Sequence, residues 1–138
     1  DNEVSQKDDL IKLLLLEVTC GSTRNPTVKV IINYRGKEIE KSNSGNGPVD
    51  AIFNCINDLI ENNAKLELFL INAITKGTDA QAEVSVRLKE NDISVSGTAS
   101  DTDTMVASAN AYIIALNKLI MKRKKRNMDL NLSTKKIN

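Results

Sequence analysis

The chain repeats itself, and that repeat restricts its fold more than any other feature. Val28, Val30, Ile32 and Tyr34 alternate with polar positions such as Lys29 and Asn33, the period of a half-buried strand. Ala82, Val84, Val86 and Leu88 alternate with Glu83, Ser85, Arg87 and Lys89 in the same way. Turn residues follow each strand, Arg35-Gly36 in the first and Asn91-Asp92 in the second, and a further short strand follows each turn, over 38–42 and 93–96. Then comes a helix. Val49, Ile52, Phe53, Ile56, Leu59 and Ile60 keep helical spacing, with Pro48 in the first turn. Met105, Ala109, Tyr112, Ile113, Leu116 and Ile120 do the same, with Thr102 or Asp103 as N-cap. The helix ends align as Ile56-Asn57-Asp58-Leu59-Ile60 with Leu116-Asn117-Lys118-Leu119-Ile120. Val18-Thr19-Cys20-Gly21 and Ile74-Thr75-Lys76-Gly77 align ahead of the hairpins. The predicted fold is therefore α+β, one domain of two pseudo-symmetric βββα units.

The predicted boundaries are a polar linker over 1–12, unit one over about 13–63, unit two over about 64–121 and a basic polar tail over 122–138. The first strand of each unit, with Leu13 to Leu16 in one and Leu66, Leu68, Phe69, Leu70 and Ile71 in the other, is apolar on both faces and needs cover beyond its own helix. A homodimer is the expected source of that cover.

Composition removes several function classes. Net charge is +1, which supplies no drive toward nucleic acid or anionic lipid for the chain as a whole. No signal peptide and no bilayer-length apolar run are read in the sequence, so the expected location is cytoplasmic, with no membrane partner. The polar opening reads as a connection from a larger preceding region. Histidine is absent, which removes Ser-His-Asp and Cys-His catalysis and most transition-metal sites. Cys20 and Cys55 lack metal-ligand spacing and read as free thiols, although the sequence leaves a disulfide between them open. Lys122-Arg123-Lys124-Lys125-Arg126 reads as a solvated helix end, because no aromatic residues interleave with it to stack bases.

One segment stands out as a binding candidate. In Ser44-Gly45-Asn46-Gly47-Pro48-Val49-Asp50-Ala51 two glycines flank an asparagine just before a helix, so the backbone can reach positive φ and approach a ligand. Free amides at the helix start suit a carboxylate or phosphate. An ordinary strand-to-helix turn would use the same residues. The lysine and Ser/Thr of a nucleotide phosphate loop are missing, and the dinucleotide glycine spacing does not fit. In the second unit Asp101-Thr102-Asp103 stands at the corresponding place, better suited to capping the helix than to holding a carboxylate.

Gly45 to Ala51, then Ala73 to Ala82, then Asp101 to Thr104, Ala107-Ser108-Ala109 and Ala111-Tyr112 occur in an order that resembles the C-terminal regulatory domain of the 2-isopropylmalate synthase and citramalate synthase family. The resemblance runs from about residue 13 to about residue 120. It implies a dimeric domain of two βββα units that binds the end-product amino acid, usually leucine, and inhibits a separate catalytic barrel. The barrel would hold the divalent metal and condense acetyl-CoA with a 2-oxo acid, so this fragment would be no enzyme and carry no cofactor. Carried over residue by residue, Gly45, Asn46, Gly47, Pro48 and Ala51 form the effector loop. Leu66, Phe69, Ala73, Ala80 and Ala82 line the side-chain pocket, and Gln81 adds a polar contact. Phe69 stands where the family often has tyrosine, so no hydroxyl is offered there. The alternatives are an isoleucine sensor of citramalate synthase and a structural dimerisation module without an effector.

Overall fold

The computed structural model describes residues 10–76 and 79–137; positions 1–9 of the expected linker, and Gly77, lie outside the described residues. The chain runs β1 (Lys12–Gly21), β2 (Arg24–Tyr34), β3 (Lys37–Ser44), α1 (Pro48–Leu59), β4 (Lys65–Lys76), β5 (Asp79–Glu90), β6 (Ile93–Asp101) and α2 (Thr104–Ile137). Two antiparallel three-stranded sheets form, ordered β1-β2-β3 and β4-β5-β6. Each helix packs on its own sheet, α1 on β2 and β3, α2 on β5 and β6, and the helices touch each other. The doubled βββα unit is thus present in three dimensions.

The repeat extends to irregularities. β1 carries a register shift between Leu13 and Leu15, and β4 carries one between Leu66 and Leu68. A bulge there changes which face each following residue takes. Leu16 then pairs with Val30 as Phe69 pairs with Val86, and Val18 pairs with Val28 as Ile71 pairs with Val84. The structural counterpart of Val18 is therefore Ile71, three residues before the Ile74 that the sequence alignment pairs with it. The β4–β5 ladder runs further past this point than β1–β2, and Thr75 and Lys76 belong to that extra length.

Core residues follow the alternation. Val28, Val30 and Ile32 in β2, and Val84, Val86 and Leu88 in β5, are buried against the helices. The β2–β3 and β5–β6 turns use left-handed backbone, at Arg35 (φ 55°), Gly36 (φ 76°) and Asn91 (φ 54°). The outer strands stay partly uncovered, as their apolar faces led one to expect. Leu14, Leu66, Leu70 and Ile71 are each 46–48% exposed in the single chain.

Two boundaries differ from the sequence reading. Ile11, assigned to the linker, is 3% exposed, and its backbone N–H and C=O both pair with the Asn117 amide of α2, at 2.7 and 3.1 Å. The basic stretch after 121 is no separate tail but a continuation of α2 to Ile137. It is held by Arg123, whose guanidinium pairs with the buried Glu90 carboxylate, which also accepts the Asn63 N–H at 2.8 Å. The Arg123 hydrogen bond is the main reason the Glu90 carboxyl lies below its ordinary value. Over Thr104–Ser133 this helix is long and apolar enough by composition to cross a membrane, yet half of its most apolar window is buried in the fold. That burial is how a core helix reads.

Gly97 of β6 lies close under α2. A Cβ there would lie 2.2 Å from the Ala111 carbonyl oxygen and 2.6 Å from the Ala115 nitrogen. Gly97→Ala is expected to destabilise the fold by about 1–3 kcal/mol through overpacking, read as a lower urea midpoint. Gly21→Ala, with open space around the new methyl, should leave the midpoint in place.

Candidate effector site

The glycine loop links β3 to α1. Its entry is fixed by the Gly45 N–H on the Pro26 carbonyl at 3.3 Å, and the Ala51 N–H on the Gly47 carbonyl at 2.9 Å begins the helix. Gly47 is the N-cap, with extended backbone (φ −148°, ψ 169°) and no side chain to cap, and Pro48 takes the first helical position. Neither loop glycine uses positive φ; among the described glycines only Gly36 does. The reason for glycine at 45 is close approach instead. A Cβ there would sit 2.5 Å from the Ala51 nitrogen and 2.7 Å from an Asp50 oxygen, whereas at Gly47 it would meet nothing within 4 Å.

Asp50 lies in the candidate segment but takes no part in the effector set that the resemblance implies. Its carboxylate accepts the Asn46 N–H at 3.0 Å, so one loop amide is already occupied by an internal anion. An acidic residue in a first helical turn that reaches back to the preceding backbone is a readable signal in sequence. Its negative charge favours the helix dipole and sets a carboxylate beside the loop amides. In the second unit Asp103 caps α2, accepting the Met105 N–H at 2.8 Å, and Asp101 accepts the Asp103 N–H at 2.8 Å. The acidic tract is a cap, as its charge suggested.

The remaining candidates divide. Phe69 packs edge-on against Phe53 of α1, ring centres 5.6 Å apart, and so brings the middle of β4 to the helix that the loop begins. Ala73 and Ala82 are directly opposite each other across β4 and β5, with Gln81 and Ala80 next along the same hairpin end. Ala73, Ala80 and Gln81 are exposed, Ala82 is half-buried and Ala51 is fully buried under the loop. Leu66 stands apart. It lies at the start of β4, seven residues or roughly 20 Å of strand from Ala73, too far to line one amino-acid pocket with it in the same chain. The clefts of about 640, 270 and 430 Å³ described in the structure are lined by other residues, around Asp92 and Ser133, Tyr34 and Asn127, and Asn63 and Asn91. Cys55 is a buried free thiol on the Lys41 carbonyl, raised above its ordinary pKa by burial, and Cys20 is an exposed free thiol.

A doubled three-strand-and-helix unit, with a glycine loop in one copy and partly exposed apolar outer strands, defines a small α+β module. Residues 1–120 match the family described as the LeuA allosteric (dimerisation) domain, and the chain belongs to that family. Its relatives include proteins named 2-isopropylmalate synthase from Rhodopseudomonas palustris, 49% identical over 125 residues, and from a Bradyrhizobium species, 53% identical over 128 residues. Each match covers 91% of this chain and 24% of the relative. A Methylobacterium nodulans protein of the same name is 46% identical over 120 residues, covering 87% of this chain and 23% of its own length. The chain thus spans about a quarter of the curated relatives it matches.

The two loop glycines should respond differently to alanine. Gly45→Ala is expected to lower stability by about 1–3 kcal/mol through the clash with the helix backbone. Gly47→Ala should cost under about 1 kcal/mol, the scale of a weaker N-cap. Thermal or urea unfolding of the two variants checks the order, and equal losses would contradict it.

Proposed function

We propose that this chain is the effector-binding and self-associating domain of a 2-isopropylmalate synthase, sensing leucine and reporting it to a catalytic barrel as end-product inhibition. The family match over residues 1–120 carries the reading. Leucine is favoured over isoleucine because the relatives bear the name of the synthase on the leucine route. In this reading the parent protein is a cytoplasmic acyltransferase, and the divalent metal and the acetyl-CoA condensation belong to its barrel.

The loop supports a zwitterionic ligand. It sets the start of α1, whose first-turn amides suit a carboxylate, beside the Asp50 carboxylate, which suits an ammonium group. The small residues Ala73, Ala80 and Ala82 with Phe69 suit a branched apolar side chain. Because these residues are largely exposed in one chain and Leu66 lies far from them, the pocket is completed by a second copy. A second copy also covers Leu66, Leu70 and Ile71 of β4 and Leu14 of β1. The ligand then acts through its different affinity for two arrangements of the dimer.

A structural association module without effector is the second reading. It is favoured by one observation, that Asp50 already occupies the Asn46 amide.

Calorimetric titration with leucine, isoleucine and valine decides between them. Saturable binding is expected, with leucine ahead of isoleucine by roughly 1–3 kcal/mol, the worth of a misplaced methyl group. Gly47→Val should abolish the leucine signal and leave the assembly mass unchanged. No heat from a folded dimer would favour the structural module, and isoleucine ahead of leucine would move the chain to citramalate synthesis.

A further inference from the structure

We infer that the basic extension of α2 guards the open edge of β6 and keeps that strand out of strand-to-strand association. Among the described residues β6 pairs with β5 on one side only, so its other side is a sheet edge. Such an edge presents free backbone groups every second residue, a template for another chain's strand. Here two of the edge carbonyls are met by side chains. The Lys118 ammonium donates to the Ser96 carbonyl at 2.7 Å and the Lys122 ammonium to the Ser94 carbonyl at 3.3 Å. The Arg126 guanidinium grips the Asp92 carboxylate at 2.6 and 3.2 Å, at the turn where the strand begins.

Two periodicities coincide to make this ladder. Four residues of helix rise about 6 Å, and two residues of strand advance about 6.7 Å. A helix lying antiparallel beside a strand can therefore place residues i, i+4 and i+8 against strand positions j, j−2 and j−4. Positions 118, 122 and 126 meet 96, 94 and 92 in that order. The Gly97 approach brings the helix close enough for the lysine stems to reach. Lys122 and Arg126 lie beyond the residues that match the family, so two of the three rungs belong to the extension.

Unit one lacks the device. α1 ends at Leu59, and the position matching Lys118 is Asp58, whose carboxylate instead accepts the Asn43 side-chain amide at 2.5 Å. The corresponding edge strand β3 is covered with its own charges, Lys37, Glu38, Glu40 and Lys41. The guard leaves β1 and β4, with their exposed leucines and isoleucine, as the outer strands open to another copy. It also gives the basic run a use that needs no nucleic acid.

The test is the mass distribution of the chain over a concentration series, by size exclusion with light scattering. Lys118→Ala/Lys122→Ala is expected to shift toward assemblies larger than the wild type's, growing with concentration, at unchanged far-ultraviolet circular dichroism. Lys118→Arg/Lys122→Arg keeps the donors and should keep the wild-type mass. Adding Ser96→Pro to the alanine variant, which an edge strand tolerates but an incoming strand cannot pair with, should return the mass to that of the wild type. An alanine variant with wild-type mass at every concentration overturns the inference. So does growth that persists with proline at 96, because it would come from general exposure instead of the β6 edge.

Discussion

Everything in this fold depends on the seam between its two helices. Three strands and a 12-residue helix make too small a body to bury a stable core alone, so each unit needs its sister. The seam supplies the missing burial. The Phe53 ring stacks on Tyr112, centroids 4.4 Å apart at 22°, with Phe69 edge-on behind it. A buried tyrosine must also satisfy its hydroxyl. Tyr112 donates to the Asn57 side-chain oxygen across the seam, and burial pushes its pKa up to about 12. Without that acceptor the ring would carry an unpaired polar group into the centre of the molecule.

On this symmetric frame the two units have diverged in what their matched residues do. Asn57 and Asn117 occupy equivalent places in the helix-end repeat. Asn57 accepts from Tyr112, while Asn117 clasps the backbone of Ile11 ahead of β1. Both ties join one unit to the other, and Glu90 adds a third by holding Asn63 and Arg123 together. The helix starts differ as well. One begins at a tight glycine loop with an acidic residue behind it, the other at a double aspartate cap. At the far ends α1 stops and α2 continues along the edge of its sheet.

Much of this was legible in the sequence because it is local. Alternating Val28 to Ile32 and Val84 to Leu88, the turn residues, and Pro48 and Asp103 at helix starts each carry their own signal. The bulges were not legible. Leu13 to Leu16 is a continuous apolar run and reads the same in any register, so only pairing with β2 shows which leucine is unpaired. The site was legible in part. Its loop lies where the motif put it, with Phe69 near its helix and the alanines clustered on one hairpin, but residue types alone could not show that Leu66 sits at the other end of β4. The charge spacing of Lys118, Lys122 and Arg126 marks one helix face, and nothing in the sequence says that a strand edge lies opposite.

The central claim, that the glycine loop and the β4–β5 hairpin end bind an amino acid together, is tested most directly by amide hydrogen exchange along the chain with and without leucine. The account predicts slowed exchange at residues 45–51 and again around Ala73 and Ala80–Ala82, with little change along α2 beyond Ile120. Slowing confined to one of the two segments, or centred on the cleft between Asp92 and Ser133, would contradict it.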